Sequence, residues 1–157
     1  FRRVLFRSDA VLKQYDQMAG NDNLFLWFTS NHDENTWNGT EFEKYGDAAN
    51  VFAVFSFTWN GIPLIYSGQE LPNLKRLEFF DKDPIEWNGE YAKHDFYKTL
   101  LSLHKNSPAL RAGDRTVSTR LVHTNANDVL LVYLRAFEEN EFNGVVNLQL
   151  KIKDIKP

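Results

Sequence analysis

The sequence predicts an α/β fold that is followed by an antiparallel β segment. Between residues 9 and 105, helical apolar spacing alternates with two short apolar runs, an order typical of parallel strands separated by helices. After Gly113 the pattern changes to three β-like segments without a helix between them. With 43% hydrophobic and 15% aromatic residues, the 157-residue chain has enough apolar material for a packed core.

The first predicted elements are a helix and a buried strand. Apolar side chains recur at helical spacing over residues 9–19, and Gly20 stands where a helix would end. Residues 24–29 form an uninterrupted, aromatic-rich apolar run, which is typical of a strand covered on both faces.

A second helix and strand follow a polar segment. Residues 48–59 are apolar at nearly every position, so we predict a helix buried on most sides, with its aromatic side chains in the core. Residues 62–66 form a short apolar strand, in which Pro63 lies near the start, where a missing N–H costs least.

A long loop precedes the last predicted helix. Residues 67–90 are polar and highly charged, and a loop of this length in a compact domain is usually functional. Residues 91–105 form an amphipathic helix with one face made of Tyr97, Leu100, Leu101 and His104.

Three strands are predicted in the C-terminal part, over residues 116–123, 129–136 and 145–152, with a hairpin turn at residues 125–128. Residues 137–143 depart from a short hairpin, which leaves the register of the third strand open. We place a domain boundary near residues 110–115.

The α/β part is expected to be incomplete, because two parallel strands cannot form a sheet with both faces covered. A barrel of eight β/α units needs roughly 250 residues. The first eight residues, FRRVLFRS, resemble the translation of a sequencing adapter, and no initiator Met precedes them. We therefore expect residues 1–8 to be a non-native segment, with an ordinary helix start as the alternative.

Polar side chains follow both predicted strands at the point where each strand ends. Residues 31–34 read Asn-His-Asp-Glu, and residues 68–70 read Gly-Gln-Glu. In barrel enzymes the functional residues lie at this carboxyl rim. Trp37, Trp87 and the Phe79–Phe80 pair lie in the same two loops, where aromatic faces can stack on sugar rings while polar neighbours bind the hydroxyls.

The chain resembles the alpha-amylase family of glycoside hydrolases, and within it the Bacteroidetes type. FTSNHDENTW is similar to a family motif in which a strand ends in Asn-His-Asp, and GIPLIYSGQE is similar to the eighth barrel strand. KRLEFFDKDPIEW and LHKNSPALRAG resemble the following loop and the exit of the last barrel helix.

The resemblance implies a division of the chain into three parts. Residues 1–8 precede the family sequence, and residues 9–112 are the last two units or so of a catalytic (β/α)8 TIM barrel. Residues 113–157 begin an antiparallel β-domain that is itself incomplete.

Roles are carried over by the same resemblance. Asp33 matches the third catalytic carboxylate, which stabilises the transition state through sugar hydroxyls. His32 and Asn31 match substrate-binding residues, and Arg76 and Trp87 are candidates for the subsite wall. Glu70 matches an acid that is more often structural than catalytic.

A structural interpretation stands beside the functional one, because an isolated Asn-His-Asp is most often a turn with helix-capping chemistry. We predict no metal site, since adjacent loop residues rarely converge on one ion. In the family, the nucleophile and the acid/base carboxylate follow the fourth and fifth barrel strands. The resemblance therefore implies that both carboxylates precede residue 1. We expect no cofactor in this chain, and calcium, if bound, in the missing part of the parent enzyme.

Composition excludes several classes of partner. A net charge of −3 without a Lys/Arg cluster argues against nucleic acid, and no apolar run approaches the 18 residues of a membrane span. The absence of Cys excludes disulfides and leaves the compartment open. For the parent enzyme we expect a secreted, periplasmic or cell-surface location; the sequence does not address its oligomeric state.

The leading hypothesis is a retaining hydrolase of starch, glycogen or maltooligosaccharides. The alternatives are a transglycosylase or alpha-glucosidase of the same family, or a non-catalytic carbohydrate-binding homologue.

We predict that the purified 157-residue chain does not hydrolyse starch above a buffer blank, because the retaining mechanism needs two carboxylates that this reading places outside it. A reducing-sugar assay checks this, and robust turnover would contradict the expected truncation.

Overall fold

The structure, a computed structural model, describes residues 8–19, 23–125, 130–137 and 146–151. Its helices are α1 (Ser8–Ala19), α2 (Glu41–Tyr45), α3 (Ala49–Thr58) and α4 (His94–Asn106), with a π-helix at Glu34–Asn38 and 3-10 turns at Gly46–Ala48 and Pro108–Leu110. Its strands are β1 (Leu26–Trp27), β2 (Ile62–Pro63), β3 (Val117–Leu121), β4 (Leu130–Phe137) and β5 (Val146–Lys151). Of the predicted non-native segment only Ser8 is described, and most of the predicted 125–128 turn also lies outside the described residues.

Strands β1 and β2 pair in parallel, as the alternating order predicts, with Trp27 opposite Pro63. Ile62 N donates to Phe25 O and Leu64 N donates to Trp27 O, each at 2.8 Å. The ladder therefore uses the N–H groups on either side of Pro63, so the missing donor of proline costs no hydrogen bond.

The prediction that residues 24–29 are buried on both faces is wrong. Leu24 and Leu26 are each 49% exposed and Ile62 is 43% exposed, whereas Trp27 is buried. Side chains alternate between the two faces of a strand, so the face that carries Trp27 packs on the core, whereas the face that carries Leu24 and Leu26 is open.

A close approach at Gly61 fixes the position of Trp27. A Cβ at Gly61 would lie 2.4 Å from the Trp27 ring, so a larger residue would collide with it. The indole Nε1 also donates to Asn60 O at 2.8 Å. The turn between α3 and β2 is thus built around one indole ring.

Helix α3 lies at the centre of the apolar packing, as predicted from its continuous apolar sequence. One side contributes Phe55 to a cluster that contains Leu12, Trp27, Trp59 and Tyr133. The other side contributes Ala53 and Phe57 to a second cluster with Tyr97 and Leu100 of α4. A helix that serves two cores must be apolar all round.

Helix α4 buries a narrower face than predicted. Tyr97 and Leu100 are buried, and His104 Nδ1 lies 2.8 Å from Phe57 O. Leu101, predicted on the same face, is 50% exposed. It follows Leu100 by one residue, which turns its side chain by about 100° around the helix axis.

The predicted C-terminal strands form a sheet in the order β3-β4-β5, with both pairs antiparallel. The register of β5, which the sequence left open, places Leu131 opposite Leu150. Tyr133 of β4 enters the α3 core and lies 2.5 Å from Thr58 Oγ1. Buried Arg135 donates to Ala109 O at 3.2 Å. The sheet and the α/β part therefore share one core.

Candidate functional site

Two loops meet at the end of the β1–β2 pair because the strands run parallel. One loop follows β1 and the other follows β2, so both leave the pair at its carboxyl end. Gln69 Nε2 in the second loop donates to Thr29 Oγ1 in the first at 2.8 Å. The two polar clusters therefore share one rim, as predicted.

A buried hydrogen-bond network centred on Gln69 joins four segments. Besides Thr29, the Gln69 Nε2 group lies 2.6 Å from Glu41 Oε2 and 3.2 Å from the Tyr97 hydroxyl. Its Oε1 accepts from Tyr66 N at 2.7 Å. An amide nitrogen has two hydrogens, so two of its three neighbours can receive a hydrogen bond at one time.

Glu41 supplies the charge-bearing group of this network. Its side chain is only 4% exposed, and Oε2 accepts from Thr29 Oγ1 at 2.7 Å. Burial, together with the nearby Glu41 charge, raises the pKa of Tyr97, so the phenol stays protonated and can donate. Sequence reasoning missed Glu41, because a Glu in a polar segment is usually exposed.

Asn31 has a structural role that the alternative interpretation anticipated. Its Oδ1 accepts from Glu34 N at 2.8 Å, and its carbonyl accepts from Asn35 N at 2.9 Å. These contacts satisfy backbone donors at the start of the π-helix. Whether Asn31 also binds substrate stays a prediction.

His32 and Asp33 project from the rim into solvent. Their side chains are 68% and 59% exposed, and His32 Nε2 lies 3.7 Å from Asp33 Oδ2. The His32 ring stacks on Phe79, with ring centroids 5.9 Å apart and planes inclined by 29°. The loop after β2 thus contributes one wall beside the predicted functional pair.

Exposed aromatic rings extend from this contact, and we call His32, Trp37, Phe79 and Phe80 the rim aromatic cluster. Trp37 is 58% exposed and Phe80 is 84% exposed. The Trp37 and Phe79 centroids are 5.5 Å apart, and those of Phe79 and Phe80 are 4.8 Å apart. Aromatic groups of this size are expensive to leave in water, so the cluster is a candidate binding surface.

The π-helix clamps the loop that carries Phe79. Buried Asn35 donates to Lys75 O at 3.2 Å and accepts from Leu77 N at 2.7 Å. Thr36 Oγ1 donates to Leu77 O at 2.6 Å. The side chains of Asn35 and Thr36 thus bond the backbone at residues 75–77 in the way that a neighbouring strand would. The sequence did not predict this contact.

Arg76 and Trp87, both predicted in the subsite wall, are not brought onto the aromatic cluster. Arg76 Nε lies 3.1 and 3.0 Å from the two Glu43 carboxylate oxygens. This contact lowers the pKa of Glu43 to about 2, with help from the Thr40 N–H bond at the start of α2. Trp87 is 53% exposed, and among the described residues it makes no ring contact with the cluster.

Neither a metal-binding cluster nor a membrane-spanning helix is present in the described part of the chain. Within residues 8–19, 23–125, 130–137 and 146–151, no three His, Asp or Glu side chains lie close enough to hold a metal ion. Across those same ranges, no helix has the length and apolarity required to cross a bilayer.

Sequence comparison finds similar proteins that are alpha-amylases. Alpha-amylase 2 of Dictyoglomus thermophilum is 29% identical over 110 residues, covering 62% of this chain. Alpha-amylase MalA of Haloarcula japonica is 29% identical over 126 residues, covering 78% of it. The chain spans 19% and 18% of the lengths of these two relatives. No family model matches the sequence.

Solved structures of alpha-amylases share the fold. An alpha-amylase from Lactobacillus plantarum aligns with a TM-score of 0.64 at 24% identity, over 84% of this chain and 29% of its own. A noncanonic maltogenic alpha-amylase from Thermotoga neapolitana aligns with a TM-score of 0.65 at 18% identity, over 95% and 35%. The resemblance to the alpha-amylase family is confirmed, whereas the Bacteroidetes type stays a prediction.

We predict that Asn35→Ala frees the base of the loop. The change leaves the Leu77 N–H and the Lys75 carbonyl without their side-chain partner, which should cost about 1–3 kcal/mol in unfolding free energy. Amide exchange of Leu77 should accelerate at least about tenfold. Asn38→Ala is the matched control, because among the described residues Asn38 Nδ2 bonds only the Glu34 side chain on its own helix. Unchanged Leu77 exchange would contradict the clamp.

We predict that the Glu43 carboxyl titrates near pH 2 and that Arg76→Gln raises this midpoint. A carboxyl whose pKa is lowered on folding stabilises the folded state above its ordinary pKa of 4.5, and this contribution is lost as the pH falls toward 2. Carboxyl carbon shifts measured by NMR report the midpoint. A midpoint that does not move in Arg76→Gln would show that the ion pair is absent in solution.

Proposed function

We propose that this chain supplies one wall of the active site of an alpha-glucan hydrolase that acts by the retaining mechanism. The observation that carries the proposal is the placement of the exposed Asp33 next to His32 of the rim aromatic cluster, at the carboxyl end of two parallel strands. Curated relatives named alpha-amylase support this substrate class.

Asp33 acts as a transition-state stabiliser in this proposal. Its carboxylate accepts hydrogen bonds from sugar hydroxyls next to the reacting carbon. These bonds strengthen as the ring becomes oxocarbenium-like, so they lower the barrier selectively. His32 binds a hydroxyl of the same sugar, and its stacking on Phe79 limits the orientations of its ring.

The aromatic cluster binds the neighbouring sugars. Trp37 is 58% exposed and Phe80 is 84% exposed, so their rings are available to stack on the apolar faces of glucose rings. The nucleophile and the acid/base carboxylate belong, in this proposal, to strands of the parent enzyme outside this chain. The reading frame upstream of residue 9 tests this directly: acids after the fourth and fifth strands support an enzyme, and their replacement supports a carbohydrate-binding protein.

We predict that the 157-residue chain binds maltoheptaose weakly and that Trp37→Ala weakens this binding up to about tenfold, the loss expected for one stacked ring. Titration followed by the indole N–H resonances in NMR spectra measures the affinity. Tyr91→Ala is the control, because Tyr91 is comparably exposed at 45% and makes no ring contact with the cluster among the described residues.

Cellohexaose, which has β-linkages, serves as the ligand control and should bind less well. Equal maltoheptaose affinities in Trp37→Ala and the wild-type chain would remove the aromatic cluster from the proposal. Binding of cellohexaose in preference to maltoheptaose would overturn the assignment to alpha-glucans.

A further inference from the structure

A small polar cavity lies beneath the rim, between the loop after β1 and the loop after β2. Its lining includes Ser30, Glu41, Tyr66, Gln69 and Asn73. The space that the centre of a water molecule can occupy in this cavity is about 10 Å³, which is close to the minimum that one buried water needs. The cavity therefore has room for one small ligand.

Two buried side-chain atoms on the lining residues lack a hydrogen-bond partner. Ser30 is 3% exposed and Glu41 is 4% exposed. Among the described residues, Ser30 Oγ and Glu41 Oε1 make no hydrogen bond, although Glu41 Oε2 accepts two. A buried polar atom without a partner is unfavourable, and two of them on residues that line one water-sized cavity point to a shared ligand.

We propose that this cavity binds one water molecule, which donates a hydrogen bond to Glu41 Oε1 and accepts one from the Ser30 hydroxyl. Water fits both atoms, because it can donate to the carboxyl oxygen and still accept from the hydroxyl. Ser30 directly precedes the Asn31–His32–Asp33 segment, whereas Glu41 is bonded to Gln69 of the opposite loop. The water therefore joins Ser30, at the start of the segment that carries Asp33, to Glu41, and the bond between Glu41 and Gln69 continues this connection to the loop after β2.

Ser30 and Glu41 are positioning residues in this view. The claim that this positioning matters for catalysis rests on the proposed function, whereas the water site itself does not. The water site and its effect on His32 are tested without a sugar, so their failure is distinct from failure of glucan binding.

Oxygen-17 magnetic relaxation dispersion tests the water, because it counts water molecules that remain inside a protein for longer than the protein tumbles. Ser30→Val removes the hydroxyl and places a methyl group toward the cavity, so the variant should hold one long-lived water fewer than the wild-type chain. Ser118→Val is the matched control, because Ser118 is exposed on β3 and the count should not change. An equal count in Ser30→Val and the wild type would overturn the proposal.

The wild-type chain gives a second measurement that does not depend on folding of the variant. Cross-relaxation between a long-lived water and the Glu41 Hγ protons is expected in NMR spectra, and its absence would overturn the site. A rise in Tm when choline chloride is replaced by sodium chloride at equal ionic strength would identify sodium as the occupant and would also overturn it.

The ring-proton shifts of His32 test the positioning role. Because His32 stacks on Phe79, a small displacement of the segment changes the ring-current shift. We expect these resonances to move in Ser30→Val and to stay in place in Ser118→Val. Loss of the water without movement of His32 would show that the water does not position the segment.

Discussion

The buried hydrogen bonds among Thr29, Glu41 and Gln69 determine how the candidate site is assembled. Each residue comes from a different segment, and the Tyr97 hydroxyl adds a fourth. Burying a carboxyl group is costly unless it is hydrogen-bonded, and Glu41 Oε2 accepts two bonds, so this network constrains all four segments at once. The exposed His32–Asp33 pair lies only a few residues beyond Thr29, so the network also restricts the position of its backbone.

The apolar packing around α3 explains why the strand pair keeps its place. Phe55 packs on Trp27 of β1, while Phe57 packs on Tyr97 of α4, so one helix contacts both the strand pair and α4. Tyr133 continues the first cluster into the C-terminal sheet. The polar network above α3 and the apolar clusters around it therefore stabilise the same arrangement.

Local pattern was enough to predict much of this molecule. Helices α1, α3 and α4, the parallel pair and the three C-terminal strands follow from spacing that each segment carries in itself, and the shared rim follows from the parallel order. The π-helix and α2 were not predicted, because residues 30–42 show only a polar sequence. The predictions that were wrong concern burial, which depends on contacts with segments distant in the sequence. The exposure of Leu24 and Leu26 depends on what covers their face of the strand pair, and that of Leu101 depends on how narrow the α4 contact is. The roles of Asn35, Glu41 and Gln69 were invisible, because a buried polar side chain is recognised only from partners distant in sequence.

The loop after β2 combines a fixed base with an exposed tip. Asn35 and Thr36 hold the backbone at residues 75–77, Ile85 packs against Gly68, and most side chains from Phe79 to Trp87 face water. Substitutions at the exposed positions of this tip thus change the surface near Asp33 and leave the contacts at the base of the loop in place. In such a loop, related proteins can diverge in ligand preference while they keep the same scaffold. Designed substitutions intended to change ligand preference are best placed at the same positions.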